Sequence, residues 1–259
     1  MENNNNNAIP KAIACALQHW SCYICDVKRS GILNEGSVKY AISEFLVVAQ
    51  VPRPENTNSI APTIIDYKFE FTHPIFVSRT IDLKVNYTTK GQSIESYYEF
   101  KYARERNISK DESARYIDDI FRLASLVMND SSIEAYFLLL GPKQHIENLL
   151  LAETNVATIQ CIPNKTKNTA IYKENIRKML SLDKKLPSIT FTPSDLKPYD
   201  EEGQVERFND DYKKIRFNIA PVVKIQPTTE ITTELIHSNS EVVSHDDIIV
   251  NVWRIKNVK

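Results

Sequence analysis

Between Pro54 and Ile64 the repeat of apolar side chains switches from every third or fourth residue to every second. A chain carrying both periods buries its apolar stripes by laying helices on a sheet, which makes it an α/β protein. Before the switch, Ala12, Ile13, Ala16, Leu17, Trp20, Ile24 and Val27 form one stripe that predicts a helix, with Pro10 placed to open it and Gly31 beyond its end. A second helix is predicted over Glu35 to Val51, with Val38, Ile42, Phe45, Leu46 and Ala49 inward, ended by Pro52 and Pro54. After the switch, Ile64 to Thr72 alternates in part, and Phe76 to Tyr87 and Ile94 to Tyr102 read as two further strands. The turn at Thr88 to Gln92 predicts an antiparallel hairpin of those last two. Ser109, with Glu112 three residues on, then reads as a capping box. It opens a helix whose inward side is Ala114, Ile117, Ile120, Phe121, Ala124, Leu126 and Val127. Glu134 to Leu140, stopped by Gly141-Pro142, reads as a buried strand.

The predicted order is therefore helix, three strands, helix, strand, a mixed sheet flanked by helices. Beyond Pro142 the pattern weakens. His145 to Ala152 and Ile171 to Leu182 read as short helices, and Ile189 to Thr192, Ile215 to Ile225 and Ile248 to Ile255 as strands. Polar loops are expected at Pro193 to Gln204 and Pro227 to Glu241. The expected organisation is a core over residues 1–160 and a mixed α+β extension over residues 161–259 packed on it.

Composition excludes little. The formal net charge is −1, without the basic surplus of a protein that coats nucleic acid, although a cleft can be locally basic around an acidic centre. Of the four cysteines, Cys22 and Cys25 form a C-x-x-C, but Cys161 stands far off and no second pair completes a zinc site. Cys22 and Cys25 are expected to be buried structural thiols. With no disulfide framework, no signal peptide and no run of about 18 apolar residues, a cytoplasmic protein off the membrane is expected. Met1 to Asn7, an asparagine tract, is expected to be disordered. Five glycines leave no phosphate-cradling loop, so P-loop, kinase and dinucleotide readings have no support. His73, His145, His237 and His245 do not cluster with acids or cysteines and read as structural or surface residues.

The segment with chemical content is Asp82-Leu-Lys-Val85 followed by Ser96-Tyr-Tyr-Glu-Phe-Lys-Tyr102. Glu99 and Lys101 are two apart on one strand, so both leave the same face, with Tyr98, Phe100 and Tyr102 on the other. A hairpin turning near Lys90 would bring Asp82 alongside them. Two carboxylates beside a lysine suit phosphodiester hydrolysis. Asp82 and Glu99 offer hard oxygens to Mg²⁺ (or Mn²⁺), the carbonyl of Phe100 could complete the ligand set, and Lys101 could orient the attacking water and hold a phosphoryl oxygen. Lys84 leaves the Asp82 face, where it could contact phosphate or be solvated; the second is favoured. Asp66 is a rival upstream acid in a poorer context. Asp119 and Arg122 read as a helix-surface pair. Lys173, Arg177 and Lys178 lie in the densest basic stretch, which could track a nucleic-acid backbone or be a solvated helix face.

Asp82 followed by Glu99-Phe100-Lys101, in this order of elements, resembles the PD-(D/E)xK nuclease superfamily, which includes many restriction endonucleases. The resemblance spans Asn34 to Gly141, and Ile81 stands where the motif's proline would be. Glu44 matches the place where many members put an additional metal-site carboxylate. Asp118 to Ala124 and Tyr136 to Gly141 resemble the helix and strand that follow the catalytic strands. The resemblance implies a restriction-endonuclease-like core, Mg²⁺-dependent cleavage of DNA (less often RNA), and a role in restriction or antiviral defence. A homodimer on double-stranded DNA is expected, since one such site cuts one strand. The competing expectations are a non-catalytic module of nuclease-like fold and an RNA-directed nuclease toxin.

Overall fold

The computed structural model describes residues 7–50, 62–75, 79–89, 91–104, 110–151, 173–196, 228–239 and 248–258. Helix α1 (Ala8–Asp26) carries Pro10 in its first turn, where a missing N–H costs nothing. Helix α2 (Glu35–Gln50) follows a turn in which the side chain of Asn34 accepts the Ser37 N–H at 3.1 Å, a cap with a clear sequence origin. Then come β1 (Thr63–Thr72), β2 (Thr80–Thr89), β3 (Gln92–Tyr102), α3 (Lys110–Asn129), β4 (Glu134–Pro142) and α4 (Lys143–Leu150). A helical turn over 173–179 precedes β5 (Ser188–Phe191), β6 (Ile231–Ser238) and β7 (Ile248–Val258).

These strands form one seven-stranded sheet in the order β1-β2-β3-β4-β7-β6-β5. Only β3 and β4 among the paired neighbours run parallel, and α3 is the crossover that such a pair requires. Strand β4 is central and buried over almost its whole length, which accounts for its unbroken apolar run. One face of the sheet (Leu83, Val85, Tyr98, Phe100, Leu138, Val250) packs against α1 and α2. The other (Tyr97, Phe137, Leu139, Trp253) packs against α3, α4 and the 173–179 turn. The result is a three-layer α/β protein. Because β7 pairs with β4, residues beyond 160 continue the sheet built by the earlier strands.

Strand β6 lies where the sequence predicts a polar loop. Its buried positions are Ile231, Thr233 and Leu235, with polar residues between them, so two apolar side chains and a threonine suffice for a strand packed on one side only. The expected strand over 215–225, the Ser109 cap and the asparagine tract over residues 1–6 lie outside the described residues, as do Cys161 and His245. The expectation of buried thiols is not met on α1: Cys22 and Cys25 are only half-buried, because the helix buries Ile13, Leu17, Ser21 and Ile24 instead, and Cys15 is exposed. No helix among the described residues is long and apolar enough to cross a membrane.

Gly141 ends the buried part of β4 at φ 155°, against the end of β3. A Cβ there would lie 2.9 Å from the Ala103 carbonyl oxygen and 3.0 Å from the Ala103 Cβ. Backbone cannot yield as a side-chain tip can, so Gly141→Ala is expected to cost about 2 kcal/mol. Its denaturation midpoint checks this; a midpoint equal to the parent's contradicts it.

Candidate functional site

Strands β2 and β3 are in register from Thr89↔Gln92 to Leu83↔Tyr98, and the ladder stops there. Asp82, the next residue of β2, replaces a backbone partner with its side chain: the Phe100 N–H donates to Asp82 Oδ2 at 2.8 Å. The two strands thus part at Asp82, and the gap between them holds the charged residues. On β1 the facing residue Glu70 has φ 49°, left-handed and rare for glutamate. Phe69 before it packs on the α1–α2 face and Phe71 after it on the α3 face, so the backbone turns over at this point.

Glu99 lies on the α3 face of β3, beside Phe137 and Leu139 of β4, and is 2% exposed. It is hydrogen-bonded to Asp82. Burial first, and then the Asp82 charge, push the Glu99 pKa well above the carboxylate range, against the pull of Arg122 and Lys101. Burial also works against ionisation of Asp82, but Lys39, the Phe100 N–H and Glu99 together hold its pKa below the usual value. The two neighbouring carboxyl groups are thus pushed in opposite directions, Glu99 towards keeping its proton and Asp82 towards losing it.

Three cations surround the pair. Lys39 of α2 reaches Asp82 Oδ1 at 2.8 Å and also contacts Glu70, whose other oxygen accepts the Thr80 hydroxyl at 3.1 Å. Lys101 lies 2.9 Å from Asp119 Oδ2 and 3.8 Å from Glu35 Oε1. Arg122 lies 3.3 Å from Glu99 Oε1 and contacts Asp119. Five carboxyl groups (Glu35, Glu70, Asp82, Glu99, Asp119) thus face three cations. The half-exposed Glu35 and Glu70 mark the side from which a ligand could approach.

The sequence-predicted residues fall into two groups. Asp82, Glu99 and Lys101 come together, with Phe100 between the last two anchoring Asp82. Glu44 is exposed, about two and a half turns along α2 from Glu35; the α2 carboxylate near Lys101 is Glu35. Lys84 is neither solvated nor open to phosphate: it is 2.6 Å from Glu95 and lies over the Phe71 ring at 4.8 Å. Asp66 accepts from Asn86 at 2.6 Å on an exposed part of the edge strand. Arg177 donates to the Leu149 carbonyl at 2.8 Å at the C-terminus of α4, and Lys178 to the Asp195 carbonyl at 2.7 Å; Lys173 is half-buried beside Arg177. That basic stretch is spent largely on holding its own turn to the protein.

Asp119 is not on the helix surface. It is 3% exposed, on the side of α3 that also buries Tyr116 and Leu123. A carboxylate three residues from one core residue and four from another is the signal that places it inward. Lys39, Glu35 and Glu70 gave no such signal, because only the docking of α2 on the sheet brings them in. His73 is fully buried and accepts the Ile75 N–H at 3.1 Å through Nδ1, which leaves Nε2 to donate to the Arg122 carbonyl at 3.4 Å. Burial pushes its pKa down to about 4, so this ring is neutral and structural.

Asp82 and Glu99 are the two neighbouring carboxyl groups that could offer hard oxygens to a divalent cation, since an ion of the Mg²⁺ type takes one or two protein carboxylates and leaves its other positions to water and phosphate. Among the described residues no group of three or more His, Cys, Asp or Glu side chains is placed to hold a metal ion. Compared with known protein families, curated proteins and solved structures, the chain has no significant match to any of them.

Proposed function

We propose that the chain is a metal-dependent nuclease of the PD-(D/E)xK type, hydrolysing phosphodiester bonds at Asp82, Glu99 and Lys101. The observation that carries this reading is the contact of the Asp82 and Glu99 carboxyl groups where β2 leaves β3, with Lys101 on the same face. Asp82 and Glu99, with the Phe100 carbonyl, would hold Mg²⁺ or Mn²⁺. When bound, the ion supplies Lewis acidity to the phosphate and to the attacking water. Lys101 keeps its ammonium at the site's edge through Asp119 and presents its remaining N–H groups to that water or to a phosphoryl oxygen. Lys39 offers a second positive charge to the phosphate. Because burial raises the Glu99 pKa, cation binding is expected to strengthen as pH rises. Double-stranded DNA is the substrate this reading favours, cut by a pair of chains in a restriction or antiviral setting.

The test is cleavage of linear and circular DNA and of single- and double-stranded RNA by the purified chain with Mg²⁺ or Mn²⁺. Cleavage should vanish on chelation and fall at least about a hundredfold in Asp82→Ala and Lys101→Ala. Intact substrates throughout, or variants that cut at the parent's rate, would falsify the proposal.

One observation favours a second reading, a nuclease-like fold kept as an interaction module. Asp82 already accepts from Phe100 on one oxygen and from Lys39 on the other, so its charge is balanced without a metal. Calorimetric titration with Mn²⁺ separates the two. Binding that disappears in Asp82→Ala belongs to the enzyme, and no binding belongs to the module.

A further inference from the structure

We propose that Asp119 and Arg122 of α3 are positioning residues that clamp Glu99 and Lys101 from above, a role that rests on the nuclease reading. The four side chains form a closed ring across two elements: Glu99 to Arg122 at 3.3 Å, Arg122 to Asp119, Asp119 to Lys101 at 2.9 Å, and Lys101 back along β3 to Glu99. The ring closes because two spacings agree. Residues two apart on a strand stand about 6.6 Å apart, and residues three apart on a helix rise about 4.5 Å. Long side chains cover the difference.

The ring is more than a local helix pair. A solvated pair three residues apart on a helix contributes little, whereas Asp119 and Glu99 are both buried and Arg122 and Lys101 nearly so. Apolar side chains of similar volume would fill such a place at no greater cost in stability. What ionic partners supply that apolar ones cannot is a fixed position for each charge. Lysine needs this most, since its compact ammonium rides on a flexible four-carbon stem, and a misplacement of about 1 Å at a reacting group can cost a hundredfold in rate. The clamp is itself anchored. Both the Ser125 hydroxyl, at 2.6 Å, and the buried His73 ring, at 3.4 Å, bond the Arg122 carbonyl.

The decisive variant is Asp119→Asn, which keeps shape and loses the charge that holds Lys101. In the full chain kcat should fall at least tenfold, with KM and Mn²⁺ affinity within twofold of the parent, because Asp119 touches neither substrate nor the Asp82–Glu99 pair. A second measurement needs no activity. Under a brief pulse of an acetylating ester, followed by peptide mass spectrometry, Lys101 should label several-fold faster in Asp119→Asn than in the parent, while Lys143 labels equally in both. Should Asp119→Asn fail to fold, Asp119→Ser takes its place, because it too removes the charge that holds Lys101. Unchanged labelling with unchanged kcat in a folded variant overturns the clamp. If the parent cuts no nucleic acid but the variants still free Lys101, the nuclease reading falls and the clamp stands as a structural ring.

Discussion

Glu99→Gln is expected to abolish metal-dependent cleavage, by about a thousandfold or more, and at the same time to raise the melting temperature, with the gain growing as pH rises. Both effects come from one environment. Glu99 is buried against the α3 face, and burial followed by the Asp82 charge raises its pKa well above the ordinary value. A carboxyl group whose folded pKa is raised binds its proton more tightly folded than unfolded. Below the ordinary carboxylate pKa it therefore takes nothing from stability, and as pH rises from there through the raised value, stability is lost. Glutamine has nothing to lose. It keeps the volume, and its amide N–H can donate to Asp82. The gain at alkaline pH should lie in the range of about 0.5–2 kcal/mol typical of a single stabilising substitution, a few degrees for a chain of this size. Added Mg²⁺ should stabilise the parent and leave the variant unmoved, since an ion that binds only the native site shifts its melting by mass action. Thermal melts at acid, neutral and alkaline pH, with and without Mg²⁺, read all of this. A variant that melts below the parent at high pH would sink the claim that burial raises the Glu99 pKa.

The fold was legible in the sequence wherever one physical rule sufficed. The stripes of α1, α2 and α3 and the unbroken run of β4 each bury one kind of surface, and period alone identifies them. The core of the site was legible for a similar reason. Glu99 and Lys101 must share a face, and the hairpin turn at Gly91 (φ 77°) sets the register that brings Asp82 beside them. What could not be read was whatever depends on one layer docking on another. Lys39 and Glu35 sit on the flank of α2, and nothing in their spacing says that the flank overhangs the gap between β2 and β3. Glu70 enters through a left-handed backbone turn that its sequence does not announce. Asp119 was readable, as a carboxylate between Tyr116 and Leu123, but a pairing three residues along the helix with Arg122 suggested a surface instead. Strand β6 was passed over because its pattern is threonine-rich and only half apolar, which is what a strand with one wet face looks like.

Glu134→Ala is expected to be the most destabilising of these changes, by about 3–5 kcal/mol, without touching the site. Glu134 opens β4 at 3% exposure, and its Oε2 accepts from both Tyr87 and Tyr136 hydroxyls at 2.7 Å, while Oε1 accepts from Arg254 at 3.0 Å. Tyr87 belongs to β2, Tyr136 to β4 and Arg254 to β7, so one carboxylate gathers donors from three strands. Only an acceptor with several lone pairs can serve all of them. Burial first, followed by Tyr98 and Glu134 for Tyr87 and by Glu134 for Tyr136, pushes the pKa of both phenols up, so they remain donors at any ordinary pH. Truncation to alanine strands two buried hydroxyls and a half-buried guanidinium and leaves a void among them. Glu134→Gln keeps the volume and one acceptor oxygen, and should cost clearly less, near 1–2 kcal/mol. The tyrosines lie on the α1–α2 face of the sheet, whereas Glu99 and Lys101 lie on the other. At a temperature where Glu134→Ala is still folded, its Mn²⁺ affinity should therefore match the parent's. Denaturant titration of the pair measures the stability terms. A cost below about 1 kcal/mol for alanine would mean that the three strands are held together by packing alone and that the buried carboxylate adds nothing to them.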